Sequence, residues 1–199
     1  MVSKMKKVER MNQIFSAVNE EYLEKIKANV VDIARDYAEN KKSYYEEVQK
    51  CLNRLIDGAN KKNKKVKYIC LFFLRSSILT KTHDFMMALY DERFYLDEEP
   101  EYAYLKYDFI AKHIEIDFEQ IKSDIAKKVV RADRWELDLV KRSIALQYYV
   151  VAGKIFQLQM NEYVKDDIWK NTTVLTEDTG IYFGEYMGEL VPVYLRKKD

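Results

Sequence analysis

Residues that make sharp turns are scarce in this chain. Its 199 residues include only 5 glycines and 2 prolines. That argues against an all-β protein, which needs a tight turn every few residues, and favours helices joined by brief connections. Cysteine is equally scarce. Cys51 and Cys70 are too few for a disulfide framework, and each lies in an apolar segment where a reduced thiol behaves as a small buried hydrophobe. The two histidines, His83 and His113, belong to no His-x-x-x-His or Cys-x-x-Cys arrangement, so no metal site is expected. Gly-x-Gly-x-x-Gly, a Walker loop and Gly-x-Ser-x-Gly are all missing, and no cofactor is expected. Charge of one sign is lacking too. The 34 basic and 33 acidic residues leave +1, which supplies no overall field for nucleic acid or an anionic membrane. The longest apolar run, Ile69 to Leu74, is far shorter than the roughly 20 residues that span a bilayer. No apolar stretch of a signal peptide follows the charged start, Met1-Val-Ser-Lys-Met-Lys-Lys. A cytoplasmic protein with no membrane partner is expected.

What is present is the balance of an ordered protein, 48% hydrophobic and 34% charged, of a length that suits a single domain over residues 1–199. Met11, Ile14, Phe15, Val18, Tyr22, Ile26, Val30, Ile33, Ala34 and Tyr37 recur at three- and four-residue steps and predict a helix over 9–40. At about 1.5 Å per residue it runs about 45 Å, against a domain diameter of about 40 Å, so it either spans the body or projects toward a partner. Ser43-Tyr-Tyr-Glu46 reads as a capping box opening a second helix that ends near Asp57-Gly58, with glycine in the left-handed position.

Two antiparallel strands are expected at 66–80 and 84–96, turning at Lys81-Thr82-His83. Glu99-Pro100 reads as a helix start, proline being favoured at the first helical position, with that helix reaching about His113. Asp117-Phe-Glu-Gln120 and Asp133-Arg-Trp-Glu136 repeat the capping-box pattern and open two more helices, the second reaching Val164. The tail changes period: Val174-Leu175, Ile181-Tyr-Phe and Leu190 to Leu195 read as short strands, with Pro192 confining the last to a sheet edge. Gly180, Gly184 and Gly188 read as turns between those strands. The fold class is therefore α+β and predominantly helical, with a long N-terminal helix, a central antiparallel hairpin, and a helical C-terminal half ending in short strands.

Candidate chemistry depends on the hairpin. Its pairing sets Thr80 opposite Asp84 and Arg75 opposite Leu89, and alternate residues share a face. Tyr68, Cys70, Phe72, Leu74, Met86, Ala88, Tyr90 and Phe94 make one apolar face. Ile69, Leu71, Phe73, Phe85, Met87 and Leu89 make the other, which is interrupted by Arg75, Ser77, Asp91 and Arg93. There Arg75 and Asp91 form either a structural ion pair or, with Arg93, a grip on an anionic ligand, because a guanidinium fork matches carboxylate or phosphate oxygens. His83, beside Asp84, is the nearest candidate base or polar turn residue.

Lys61 to Lys67 resemble a nucleic-acid patch, and Asp91 to Glu101 resemble a cation loop. Both runs fall at one end of the hairpin, where they neutralise each other, and the expectation is against nucleic acid. Sixteen tyrosines supply amphipathic contact area of the kind favoured at protein interfaces. The reading that follows is a non-enzymatic interaction or regulatory module, self-associating through its N-terminal helix. A binding domain or small enzyme for an anionic metabolite using Arg75, Asp91, Arg93 and His83 is the alternative, and a nucleic-acid binder using Lys61 to Lys67 the second alternative.

Overall fold

The computed structural model describes residues 2–129 and 131–196. It has the α+β architecture: α1 (Val2–Lys61), β1 (Val66–Phe73), α2 (Arg75–Thr80), β2 (Asp84–Tyr90), β3 (Glu101–Lys106), α3 (Asp108–Lys128), α4 (Arg134–Tyr163), α5 (Asp167–Asn171), β4 (Leu175–Glu185) and β5 (Leu190–Leu195). A single 3₁₀ turn, Phe94–Leu96, follows β2. The chain divides into two compact units, Met1–Ala38 with Asp108–Val150 and Glu39–Tyr107 with Val151–Asp199. Among the described residues, no helix is long and apolar enough to cross a membrane.

The first unit contains the start of α1, all of α3 and the start of α4. The fourfold step of Ile14, Val18, Tyr22 and Ile26, continued by Ile33 and Tyr37, puts one side of α1 into its interior. Ile110, Ile114, Ile121 and Ile125 of α3, with Val140, Ile144 and Tyr148 of α4, supply matching stripes. α4 begins as its capping box requires: the Asp133 N–H donates to Glu136 Oε2 at 2.8 Å, and the Asp133 carbonyl accepts from Glu136 and Leu137.

The second unit is built on a five-stranded sheet in the order β3-β2-β1-β4-β5. β1 runs parallel to β4, while the other neighbours are antiparallel. Odd-numbered residues of β1 and β2, Ile69, Leu71, Phe85, Met87 and Leu89, are fully or almost fully buried, together with Ile181 of β4. Helix α4 comes close to this layer at Gly153, where an added Cβ would lie 2.8 Å from the Phe183 ring, and Phe156 stands 6.4 Å from the same ring. The latter part of α1 joins α4 by polar links: Gln159 Nε2 donates to the Tyr44 carbonyl at 3.1 Å, and the Tyr163 hydroxyl donates to Asn53 Oδ1 at 2.7 Å. Even-numbered residues form a second apolar layer of Cys70, Phe72, Ala88 and Tyr90, packed by Tyr68, Leu74, Met86, Phe94, Tyr95, Tyr182 and Leu190.

Several local expectations are corrected. Strand pairing stops at Phe73↔Phe85: residues 75–80 form the short helix α2 rather than the end of the first strand, and the second strand ends at Tyr90 rather than at residue 96. The register is therefore Tyr68↔Tyr90, offset by an even number of residues from the expected one, so the residues that stay in the strands keep their faces, while Arg75, Ser77, Asp91 and Arg93 fall outside the strands. Residues 101–106 are a strand, not a helix: Tyr102 and Tyr104 are exposed and Ala103 is buried between them, the period-two pattern of a half-buried strand. Pro100 precedes a strand there. α1 is two helices joined across a kink, as expected, but the break falls at Asn40 (φ −111°, ψ 15°), three residues before Ser43, and asparagine competes for its own backbone groups. Asn63 (φ 52°), not Gly58, takes the left-handed position after α1. Gly180 and Gly184 lie within β4. At Gly184 a side chain is barred by the Glu189 carbonyl oxygen, 2.1 Å from where a Cβ would sit.

Candidate functional site

The four residues expected to bind an anion do not converge. Arg75 opens α2 and grips Glu185 at the end of β4 with both sides of its guanidinium, Nη2 reaching Oε2 at 3.0 Å. Asp91 and Arg93 do come together, but as a closed loop. The Arg93 backbone N–H, Nε and Nη2 donate to the Asp91 carboxylate at 2.8, 3.0 and 2.9 Å, and Nη1 lies 3.5 Å from Glu98. The expected Arg75–Asp91 pair is replaced because α2 ends the hairpin early and carries Arg75 toward β4. His83 is buried, with φ 48°, and its N–H donates to the Ser77 carbonyl at 3.2 Å. An anion would have to displace a carboxylate from each arginine, at the cost of two bidentate contacts.

The basic and acidic runs meet as their place in the chain requires. Lys62 reaches Glu101 at 2.6 Å and Glu99 at 3.9 Å, Lys64 pairs with Asp97 and donates to the Glu99 carbonyl at 2.6 Å, and Lys67 pairs with Asp178 at 2.9 Å. Lys65 donates to the Thr173 carbonyl at 2.6 Å. Asp97 organises the loop after β2. Its buried carboxylate also accepts the N–H groups of Asp91 (3.0 Å) and Glu99 (3.1 Å). Burial raises its pKa, yet the Lys64 ammonium and the two backbone donors outweigh that and hold it below the ordinary aspartate value. The loop so held brings Phe94 and Tyr95 onto the even face, with the Phe94 ring 4.9 Å from Tyr68 and 5.2 Å from Tyr90. Phe94 adopts φ 55°, a strained position for a bulky residue that this packing sustains.

One polar cluster had no local signature. Asp117, expected to cap a helix, lies inside α3 and is completely buried in the first unit. Lys25 Nζ stands 3.2 Å from its carboxylate, Asn29 Nδ2 donates to it at 3.0 and 3.2 Å, and the Tyr148 hydroxyl donates at 2.5 Å. Asn29 also reaches the Tyr148 oxygen at 2.8 Å. Burial, and then the bond to Asp117, push the Tyr148 phenol up. Tyr22 is pushed up by burial and by the Asp117 charge, and its buried hydroxyl has no hydrogen-bond partner among the described residues. His113, one turn before Asp117, stacks on Tyr148 at 6.3 Å; burial, with Lys112 beside it, lowers its pKa. Both oxygens of Asp117 are occupied, so the cluster fixes how three helices meet and leaves little acceptor capacity for a substrate.

Nucleophilic and metal chemistry find little support. Cys51 and Cys70 are buried, and burial raises both thiols, which suppresses the reactive thiolate. Among the described residues, no group of three or more His, Cys, Asp and Glu could hold a metal ion.

β3 forms one edge of the sheet. β3 pairs with β2 over six consecutive residues without a bulge, from Asp84↔Lys106 to Leu89↔Glu101. On the even face Tyr102 and Tyr104 remain 56% and 58% exposed, with their rings edge-to-face at 6.1 Å. The opposite edge, β5, is interrupted by Pro192 and by a register shift against β4. No protein-family model, curated protein or solved structure matches the chain.

Proposed function

We propose that the chain is a non-enzymatic, cytoplasmic protein-interaction module that docks an extended segment along β3. The observation that carries this reading is an unbroken six-residue edge strand bearing two half-exposed tyrosines. The outer edge of such a strand offers backbone donors and acceptors to an added strand, and alternating side chains supply selectivity. Tyrosine suits the task because it brings a large, rigid contact surface at low entropic cost. The buried thiols of Cys51 and Cys70, unpaired with each other, accord with a reducing compartment. Arg75 and Arg93, each engaged by carboxylates, give the anionic-metabolite reading less support, and the partnered Lys62, Lys64, Lys65 and Lys67 do the same for nucleic acid.

The test uses labelled chain at nanomolar concentration, titrated with a panel of synthetic decapeptides carrying aromatic or β-branched residues at alternate positions. Members of the panel are expected to bind the wild type, and the Tyr102→Lys/Tyr104→Lys double variant is expected to lose that binding. Failure of every peptide to bind the wild type, or equal binding by the variant, overturns the reading.

A further inference from the structure

We infer that the segment docking on β3 is the β3 strand of a second copy of this chain, so that two sheets join edge to edge about a two-fold axis at Ala103. This rests on the docking reading above and names its occupant. Two antiparallel strands related by a two-fold axis normal to the sheet keep equivalent faces on the same side, and each residue at the axis then faces its own counterpart. With Ala103 on the axis, Tyr102 of each copy stands opposite Tyr104 of the other. Both pairs lie on the even face, where the rings are already half exposed. A centre one residue later forms only one tyrosine pair, so the alanine centre gains more from cross-strand aromatic contact.

Charge favours the same arrangement. Acidic groups precede β3 and Lys106 closes it; the side chains of Glu98 (85% exposed), Glu99 (76%) and Lys106 (56%) make only long ionic contacts among the described residues of their own chain, with Arg93 at 3.5 Å, Lys62 at 3.9 Å and Asp84 at 3.7 Å. Antiparallel alignment therefore lays each Lys106 toward the acidic end of the other strand, twice over, whereas parallel alignment stacks like charges. The long N-terminal helix is a poorer seam. Among the described side chains, its exposed large apolar residues within the first unit, Val8, Leu23 and Val31, are widely spaced and make no continuous stripe. The β5 edge is closed to the same pairing by Pro192.

Sedimentation of the full chain across a wide concentration range reads the inference directly. The wild type is expected to show a concentration-dependent monomer–dimer equilibrium. Tyr102→Lys/Tyr104→Lys is expected to weaken it about a hundredfold, through lost ring pairs and facing like charges. Because both side chains are largely exposed, the variant should keep the wild-type circular dichroism and melting temperature. Mixing it with Tyr102→Glu/Tyr104→Glu should restore a mixed dimer. A wild type that stays monomeric at every concentration, or a double-lysine variant that dimerises as strongly as the wild type, overturns the inference. A monomeric chain that still binds the extended peptides overturns only the second-copy occupant; one that binds none sinks the docking reading as well.

Discussion

The two units fill their interiors differently. The first keeps a carboxylate, Asp117, at the meeting of three helices and gathers donors on it from Lys25, Asn29 and Tyr148. The second keeps rings and aliphatic groups on both faces of a sheet, and its even layer continues to the β3 edge, where Tyr102 and Tyr104 remain exposed. Helices with regular apolar stripes can slide past one another by a turn, and a buried polar network is one way to select a single arrangement. A sheet has its register set by backbone pairing and by the alternation of side chains, so it can afford an apolar interior. The polar network closes on itself, while the aromatic layer ends at an edge that can take another strand.

Substitutions can break that contrast. The largest effect is expected in the apolar interior: Phe156→Ala removes a completely buried ring beside Phe183 and should cost about 4 kcal/mol in chemical denaturation. Asp117→Ala should cost about 3 kcal/mol, toward the lower end for breaking a buried pair, because the Lys25 side chain is 35% exposed and can turn to water. Tyr148→Phe should cost about 1 kcal/mol, since it removes a donor from Asp117. The same change at Tyr22 should be neutral or stabilising, because that hydroxyl is buried without a hydrogen-bond partner among the described residues. Equal losses for the two tyrosines would contradict the network as drawn.

The smallest effect is one of pH. His113 holds its proton less tightly in the fold than the ordinary value of 6.5, so the unfolded chain takes up the proton first as pH falls. This contribution to stability is complete above about pH 6.5 and is lost as the pH falls from there toward the folded value. Thermal melts of the wild type and of His113→Gln between pH 5 and pH 7.5 should therefore diverge on the acid side, with the variant less sensitive.

What could be read from the sequence was local. The long N-terminal helix, the Asp133–Glu136 box and the edge position forced by Pro192 each depend on neighbouring residues, and each is present. The sorting of alternate residues into two faces of β1 and β2 also held, because a register offset of even length leaves parity intact. The facing lysine and aspartate/glutamate runs were legible for the same reason. The anion grip was not, because Arg75 takes its partner 110 residues away, on a strand running parallel to β1. Asp117 looked like a cap because Asp-x-x-Gln is a local pattern, whereas its donors lie 88 residues before it and 31 after it. β3 was hidden by Pro100, which reads equally well as a helix start or as the residue before a strand.

Self-pairing of β3 is tested most directly by placing single thiols on it. One chain carries Tyr102→Cys and the other Tyr104→Cys, while the native Cys51 and Cys70 stay buried. Under mild oxidation the mixture should accumulate a disulfide-linked heterodimer, identified by intact mass, well ahead of either variant alone, because directly opposite positions on an antiparallel pair are close enough to bridge. A mixture that links no faster than its separate components would contradict the two-fold axis at Ala103.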